Sequence, residues 1–159
     1  MLHMRPATER DSRLVWEWAN DPVARQASFS SEPISWEEHA AWFARKLGEA
    51  SSVMYVACDS EGCPVAFVRF AIEGTIAVIS INVAPDQRGK GYGTAAIRLA
   101  GESIAADRGI DRIDAYIKPG NKASLQAFSK VGYKGCGECT VKGQRATRKV
   151  LVMLDGAVG

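Results

Sequence analysis

No stretch of this chain reaches the ~18 consecutive apolar residues of a membrane span. No charge of either sign dominates. Twenty Lys and Arg against 18 Asp and Glu leave a net charge of +2, too little for a nucleic-acid footprint. The opening Met1-Leu-His-Met-Arg-Pro6 lacks the apolar segment of a secretory leader, so a cytoplasmic protein is expected. Internal repeats, low-complexity segments and linker-like composition shifts are missing too, and one domain over residues 1–159 is expected.

Four cysteines are present, Cys58, Cys63, Cys136 and Cys139. Their C-x4-C and C-x2-C spacings invite a zinc reading. No histidine lies near either pair, and both pairs fall in strand or hairpin-end patterns. Buried or half-buried free thiols are therefore expected, and no metal.

The most informative stretch is Arg88-Gly89-Lys90-Gly91-Tyr92-Gly93-Thr94. It joins a strand-like run ending at Val83 to a helical pattern beginning near Gly93. Such a loop cradles phosphate, because the first amides of a helix have no intrahelical partner and the helix dipole favours an anion there. Two common phosphate loops fail. A Walker A loop ends in Gly-Lys-Ser/Thr, whereas Lys90 lies between glycines. A dinucleotide fingerprint started at Gly89 would need its third glycine at Thr94, and the next strand-like run, Arg112 to Ile117, ends in Lys118 instead of an acid.

The pattern that fits is R-x-x-G-x-G, read as Arg88, Gly91 and Gly93. It follows the strand Ile76–Val83 and Pro85. Further on comes Asn121-x-x-Ser124…Phe128…Gly132-Tyr133. Together these motifs resemble the GCN5-related N-acetyltransferase (GNAT) superfamily over roughly Met4 to Leu154. The resemblance implies an α/β fold in one GNAT domain, a mixed and mostly antiparallel central sheet flanked by about four helices. It implies acetyl-CoA as cofactor, with CoA as product. Cofactor contacts would fall to the backbone of Ile81, Asn82 and Val83, to Arg88, Gly89, Lys90, Gly91, Tyr92, Gly93 and Thr94, and to Asn121 and Phe128. Several of these have plainer roles available. Lys90 suits solvated surface, Asn82 a strand bulge, and Asn121 a helix cap.

The local pattern agrees. Leu2–Ala7 reads as a strand, and Leu14, Val15 and Trp18 as the apolar face of a helix stopped at Asn20-Asp21-Pro22. Ser35-Trp-Glu-Glu38 is a capping box opening a helix whose core face is Trp36, Ala40, Phe43 and Leu47. Val53–Cys58 and Pro64–Ile72 form a hairpin, and Thr75–Val83 a central strand. Ile97, Ala100, Ile104 and Ala105 mark the next helix, and Leu125, Phe128 and Val131 the last one. Tyr133–Val141 and Thr147–Leu154 read as a closing hairpin.

Acetyl transfer needs a neutral amine, a polarised carbonyl and a proton for the departing thiolate. Many members of the superfamily protonate sulfur with a tyrosine in the last helix, at the position that Phe128 holds here. Ser124 is the nearest substitute. Candidates for a base are His39, Glu73 and Glu138, with His39 suited by its ordinary pKa. Without a strong base, a weakly basic amine is favoured. At pH 7 about 10–15% of an α-amino group is neutral, against below ~0.1% of a lysine.

The N-terminal third, from Trp16 to Trp42, resembles the GNAT branch that acetylates the 4-amino group of UDP-linked dideoxy amino sugars. It resembles less closely the ribosomal-protein N-terminal acetyltransferases. On that resemblance Asn20, Arg25, His39 and Trp42 would contact the acceptor, Arg25 by pairing with phosphate and Trp42 by packing on a ring. Lys142, Arg145, Arg148 and Lys149 make the closing hairpin basic. A small amine, nucleotide-linked acceptors included, is the expected partner, with a protein N-terminus as the alternative and a non-catalytic acyl-CoA-binding module as the third reading. Neither a nucleic acid nor a membrane is expected, and a monomer and a homodimer both remain open.

Overall fold

The computed structural model describes residues 1–153. Seven strands form one sheet: β1 (His3–Pro6), β2 (Ser52–Cys58), β3 (Pro64–Glu73), β4 (Ile76–Val83), β5 (Arg112–Ile117), β6 (Lys134–Val141) and β7 (Gln144–Val152). Their order across the sheet is β1-β2-β3-β4-β5-β7-β6. Every pairing is antiparallel except β4 with β5. The helices are α1 (Ser12–Ala19), α2 (Pro22–Ala27), α3 (Trp36–Leu47), α4 (Tyr92–Arg108) and α5 (Lys122–Val131), with single 3-10 turns at Glu9–Asp11 and Pro85–Gln87. This is the single-domain α/β GNAT fold that the motifs imply. Among the described residues no helix is long and apolar enough to cross a membrane.

Alternation along the strands assigns the two faces. Ala77, Ile79, Ile113, Ala115 and Ile117 pack with Ala96, Ile97, Ala100 and Ile104 of α4 and Phe128 of α5. On the other side Phe67, Met54 and Val56 meet Val15 and Trp18 of α1 and Phe43 of α3. Full burial of side chains such as Phe43 and Phe70 contributes roughly 1.5–3 kcal/mol each.

One helix escapes the sequence pattern. Asn20-Asp21-Pro22 ends α1, yet α2 begins at once with Pro22 in its first turn. Proline has no amide to donate, but amides of the first turn have no intrahelical acceptor in any case. Asp21 caps the new helix by accepting from the amides of Val23 and Ala24 at 3.1 and 3.2 Å. In α3 half of the capping box forms, with Ser35 Oγ accepting from the Glu38 amide at 3.1 Å. Its buried face is His39 and Phe43, while Trp36 is only half-buried against Trp16. The closing hairpin is longer than its pattern, since β7 begins at Gln144; Leu154 lies outside the described residues.

The thiols are free, and they divide: Cys58 is buried and Cys139 half-buried, as expected, whereas Cys63 and Cys136 are exposed. Among the described residues no group of three or more His, Cys, Asp or Glu is placed to hold a metal ion.

Gly101 lies buried inside α4, where a Cβ would meet Ile113 Cδ1 at 3.5 Å, an ordinary contact. Alanine restricts the unfolded chain more than glycine does. Gly101→Ala is expected to stabilise the fold by about 0.5–1 kcal/mol, read as a Tm rise of about 1–4 °C by thermal denaturation.

Candidate active site

The site begins where β4 and β5 part. They are paired only at Ile76–Val78 with Arg112–Asp114. Beyond that point β4 stays on β3 as far as Val83, and β5 follows β7. From Ile79 to Val83, one edge of β4 has lost its neighbour. A cavity of about 630 Å³ opens there, reaching from Ile79, Ser80, Ile81 and Asn82 across to Ala115, Tyr116 and Ile117. Asn121, Ser124 and Phe128 close one end, and α1, α3 and the 28–35 segment wall the other. That volume suits a small molecule.

Just beyond β4 lies the glycine loop. Gly89 and Gly91 have φ of 76° and 83°, a left-handed conformation that side chains with a Cβ disfavour. Gly91 is the N-cap of α4, and no side chain caps that helix. The amides of its first turn therefore offer an uncapped anion site beside Lys90, and the residues present fit a diphosphate. Lys90 itself reaches Gln87 Oε1 at 3.2 Å on the surface. Arg88 is committed elsewhere: its Nη2 donates to Asp21 Oδ2 at 2.8 Å. Asn121 caps α5 by accepting from the Ser124 amide at 3.2 Å, while its side and that of Ser124 also line the cavity.

The acceptor side departs from expectation. Arg25 lines the cavity, but its Nε donates to the Ala19 carbonyl at 2.6 Å and its Nη1 to those of Ser30 and Glu32 at 2.7 and 3.1 Å. Asn20 exchanges two hydrogen bonds with the backbone of Ile34, both 2.8 Å. These side chains shape the 28–35 segment, a strap over the cavity, instead of presenting free donors to phosphate. The hairpin cations are equally engaged. Lys142 donates to Ser30 Oγ at 2.8 Å, Arg145 pairs with Glu138 at 2.9 Å, Arg148 with Asp114 at 3.2 Å, and Lys149 donates to Ser129 Oγ at 2.9 Å. Glu138 is thus a surface ion-pair partner, and exposed Glu73 sits at the far end of β3; neither lines the cavity, and neither is placed as a base.

His39 is 3% exposed, with ring centroids 5.9, 5.8 and 5.5 Å from those of Trp36, Trp42 and Phe43. Its Nε2 lies 2.8 Å from the Ser12 carbonyl. A carbonyl only accepts, so Nε2 carries the proton. Burial holds the His39 pKa below its ordinary value. The ring fastens α3 to α1 and brings one edge to the cavity wall. Packing explains it better than base catalysis does.

The sequence reading passed over the cavity's floor. Arg69 and Ser80 are cross-strand partners, as are Phe67 and Asn82, so these four share one face of the sheet with Tyr116 nearby. The Arg69 guanidinium lies 5.2 Å from the centroid of the Trp42 ring, and makes no ion pair or side-chain hydrogen bond among the described residues. A cation inside the apolar run Val65–Ile72 was the available signal.

The model of the acetyltransferase (GNAT) domain family matches residues 1–134. The chain belongs to the GNAT acetyltransferases. It is an N-acetyltransferase. A Bacillus subtilis protein assigned by name to the phosphinothricin acetyltransferases is 31% identical over 143 residues, 86% of each chain. The L-methionine sulfoximine/L-methionine sulfone acetyltransferase of Pseudomonas aeruginosa is 27% identical over 136 residues, 81% of this chain and 78% of that one. An aminoglycoside acetyltransferase solved with ribostamycin and coenzyme A superimposes with a TM-score of 0.84 over 95% of this chain and 93% of that one, at 21% identity. That last likeness confirms the fold. The nucleotide-sugar and ribosomal-protein branch expected from the N-terminal third finds no support in these relatives.

His39 makes a pH signature. Its folded pKa lies below its unfolded one, so the unfolded chain binds more protons between the two. Stability is then complete above about pH 6.5 and falls as pH drops toward the folded value. The Tm of the protein is expected to decline between about pH 7 and 5, and His39→Gln to lower the Tm while flattening that decline, as thermal scans across pH will show.

Proposed function

We propose that this enzyme transfers acetyl from acetyl-CoA to the α-amino group of a small amino-acid-like amine that carries an anionic group. Arg69 is the observation behind this reading. It is a cavity-lining cation without a partner among the described residues, whereas Arg25 and Lys142 beside it are bonded internally. Desolvation lowers the Arg69 pKa but leaves an arginine charged at neutral pH. A charged fork on the floor of a half-open cavity suits a carboxylate or phosphinate. Glu32 and Glu38 line the same cavity, so it offers both signs of charge to a zwitterion.

Relatives that act, by name, on phosphinothricin and methionine sulfoximine support the same class. The chemistry agrees with it. No cavity carboxylate or histidine stands out as a strong base, and an α-amino group is neutral often enough at pH 7 to attack unaided. The UDP-amino-sugar reading rested on Arg25 as a phosphate ligand, and the bonds of Arg25 to three backbone carbonyls remove much of that support.

Free thiol released from acetyl-CoA tests the proposal. The panel is phosphinothricin, L-methionine sulfone, L-2,4-diaminobutyrate, spermidine, UDP-4-amino sugars and short peptides. Turnover is expected with the carboxylate-bearing amino acids. Arg69→Gln is expected to raise their KM by about 10- to 100-fold, from the loss of a charged hydrogen bond, with the KM for acetyl-CoA little changed. Best turnover with spermidine, or an unmoved KM in the variant, would overturn this reading. A UDP-sugar whose turnover vanishes without UDP restores the nucleotide-sugar reading, and peptides alone point to N-terminal acetylation. Tight acetyl-CoA binding with no turnover at all leaves the binding module.

A further inference from the structure

Asp21 joins two parts of the molecule that the reaction uses separately. One of its oxygens accepts from Arg88 Nη2 at 2.8 Å, in the cofactor loop. The same oxygen accepts from the Val23 and Ala24 amides and so starts α2. That helix has six residues, too few to persist on its own, so its place depends on what holds its ends. Its other end is held by Arg25, whose guanidinium grips the Ser30 and Glu32 carbonyls of the strap. Beside it Lys118 Nζ donates to the Gln26 carbonyl at 2.7 Å. The strap is pinned from α1 by Asn20 and Trp16, both to Ile34, and from the hairpin by Lys142 and Gln144, to Ser30 and Phe29. A chain of contacts thus runs from the glycine loop through Arg88, Asp21, α2 and Arg25 to the roof of the acceptor cavity. Neither Arg88 nor Asp21 lines that cavity.

We propose that Asp21 is a positioning residue that ties the acetyl-CoA loop to the strap, so that filling the loop steadies the roof of the acceptor cavity. An anionic diphosphate on the α4 amides orders residues 88–94. Ordering that loop fixes Arg88, and Arg88 fixes the start of α2. The steadied α2 then holds Arg25 under the strap. The inference rests on acetyl-CoA occupying the glycine loop, and not on which amine the cavity accepts.

Hydrogen exchange of the amides in residues 28–35, with and without saturating CoA, reads the link directly. Calorimetry on the same samples reports CoA binding. In the unaltered protein CoA is expected to slow exchange in the strap by about fivefold or more. Asp21→Asn keeps a good helix cap but removes the charge that holds Arg88. In that variant CoA is expected to bind while the slowing largely disappears. Arg88→Gln, approached from the other side of the pair, should do the same at saturating CoA. Equal slowing in the variants, or CoA binding to the unaltered protein without any response in the strap, would overturn the link alone. Failure of CoA to bind the unaltered protein would overturn the link together with the cofactor reading.

Discussion

The parting of β4 from β5 is the constraint on which the rest depends. An unpaired strand edge inside a sheet is costly, because backbone amides and carbonyls need partners. The fold confines that cost to a few residues and gives it a use, since the free edge from Ile79 to Val83 can pair with an extended ligand. A buried acid sits at the fork itself. Asp114 is the last residue of β5 paired to β4, and it is buried. Its carboxylate takes Arg112 of its own strand at 2.8 Å and Arg148 of β7 at 3.2 Å. The buried acid therefore binds β5 to β7 just where β5 leaves β4. Removing one partner of such a cluster would strand a charge, which is far worse than never having built the cluster.

A second consequence concerns polar side chains around the cavity. The strap crosses the mouth without regular structure, so its carbonyls need donors from elsewhere. Trp16, Asn20, Arg25 and Gln144 supply them. Asn20 and Arg25, which look like ligands in the sequence, thus also hold the strap in place. Arg25 spends its Nε and Nη1 donors on three carbonyls, while Arg69, under Trp42 and unbonded among the described residues, keeps all of its donors available. Charge alone does not make a ligand; an unfilled hydrogen-bonding capacity inside a cavity does.

The fold was legible because its signals are local and chemically strict. Gly89 and Gly91 adopt the positive φ that the loop motif implies, Ser35 caps α3 as its box pattern says, and Gly132 ends α5. The misses have physical reasons. Pro22 was read as a stop, although the residue that ends one helix can also begin the next. His39 lines the cavity, and only the fold shows that its ring also packs among three aromatics. Arg69 was overlooked because a lone charge in an apolar strand has no periodic signature; its meaning comes from Ser80 and Trp42, 11 and 27 residues away in the numbering. Motifs report backbone geometry well, and report poorly which polar atoms remain free once the chain has closed.

Phe128 bears on how the acetyl group is released. It holds the place of the tyrosine that other members use to protonate sulfur, and here it packs edge-on against Tyr133 with centroids 4.9 Å apart. The Tyr133 hydroxyl is buried without a partner, its pKa is raised by that burial, and the residue does not line the cavity. Ser124 is the hydroxyl that does. A thiolate with an ordinary pKa of about 8.5 is a tolerable leaving group near neutral pH, so the demand for an acid is small. The demand on the amine side is larger, because a protonated amine cannot attack. A site with neither a strong acid nor a strong base therefore works best on an amine that already sheds its proton near pH 7. The acceptor proposed from Arg69 meets that demand, since placing a carboxylate on the cavity floor brings an α-amine, and not a remote ammonium, toward the parted strands.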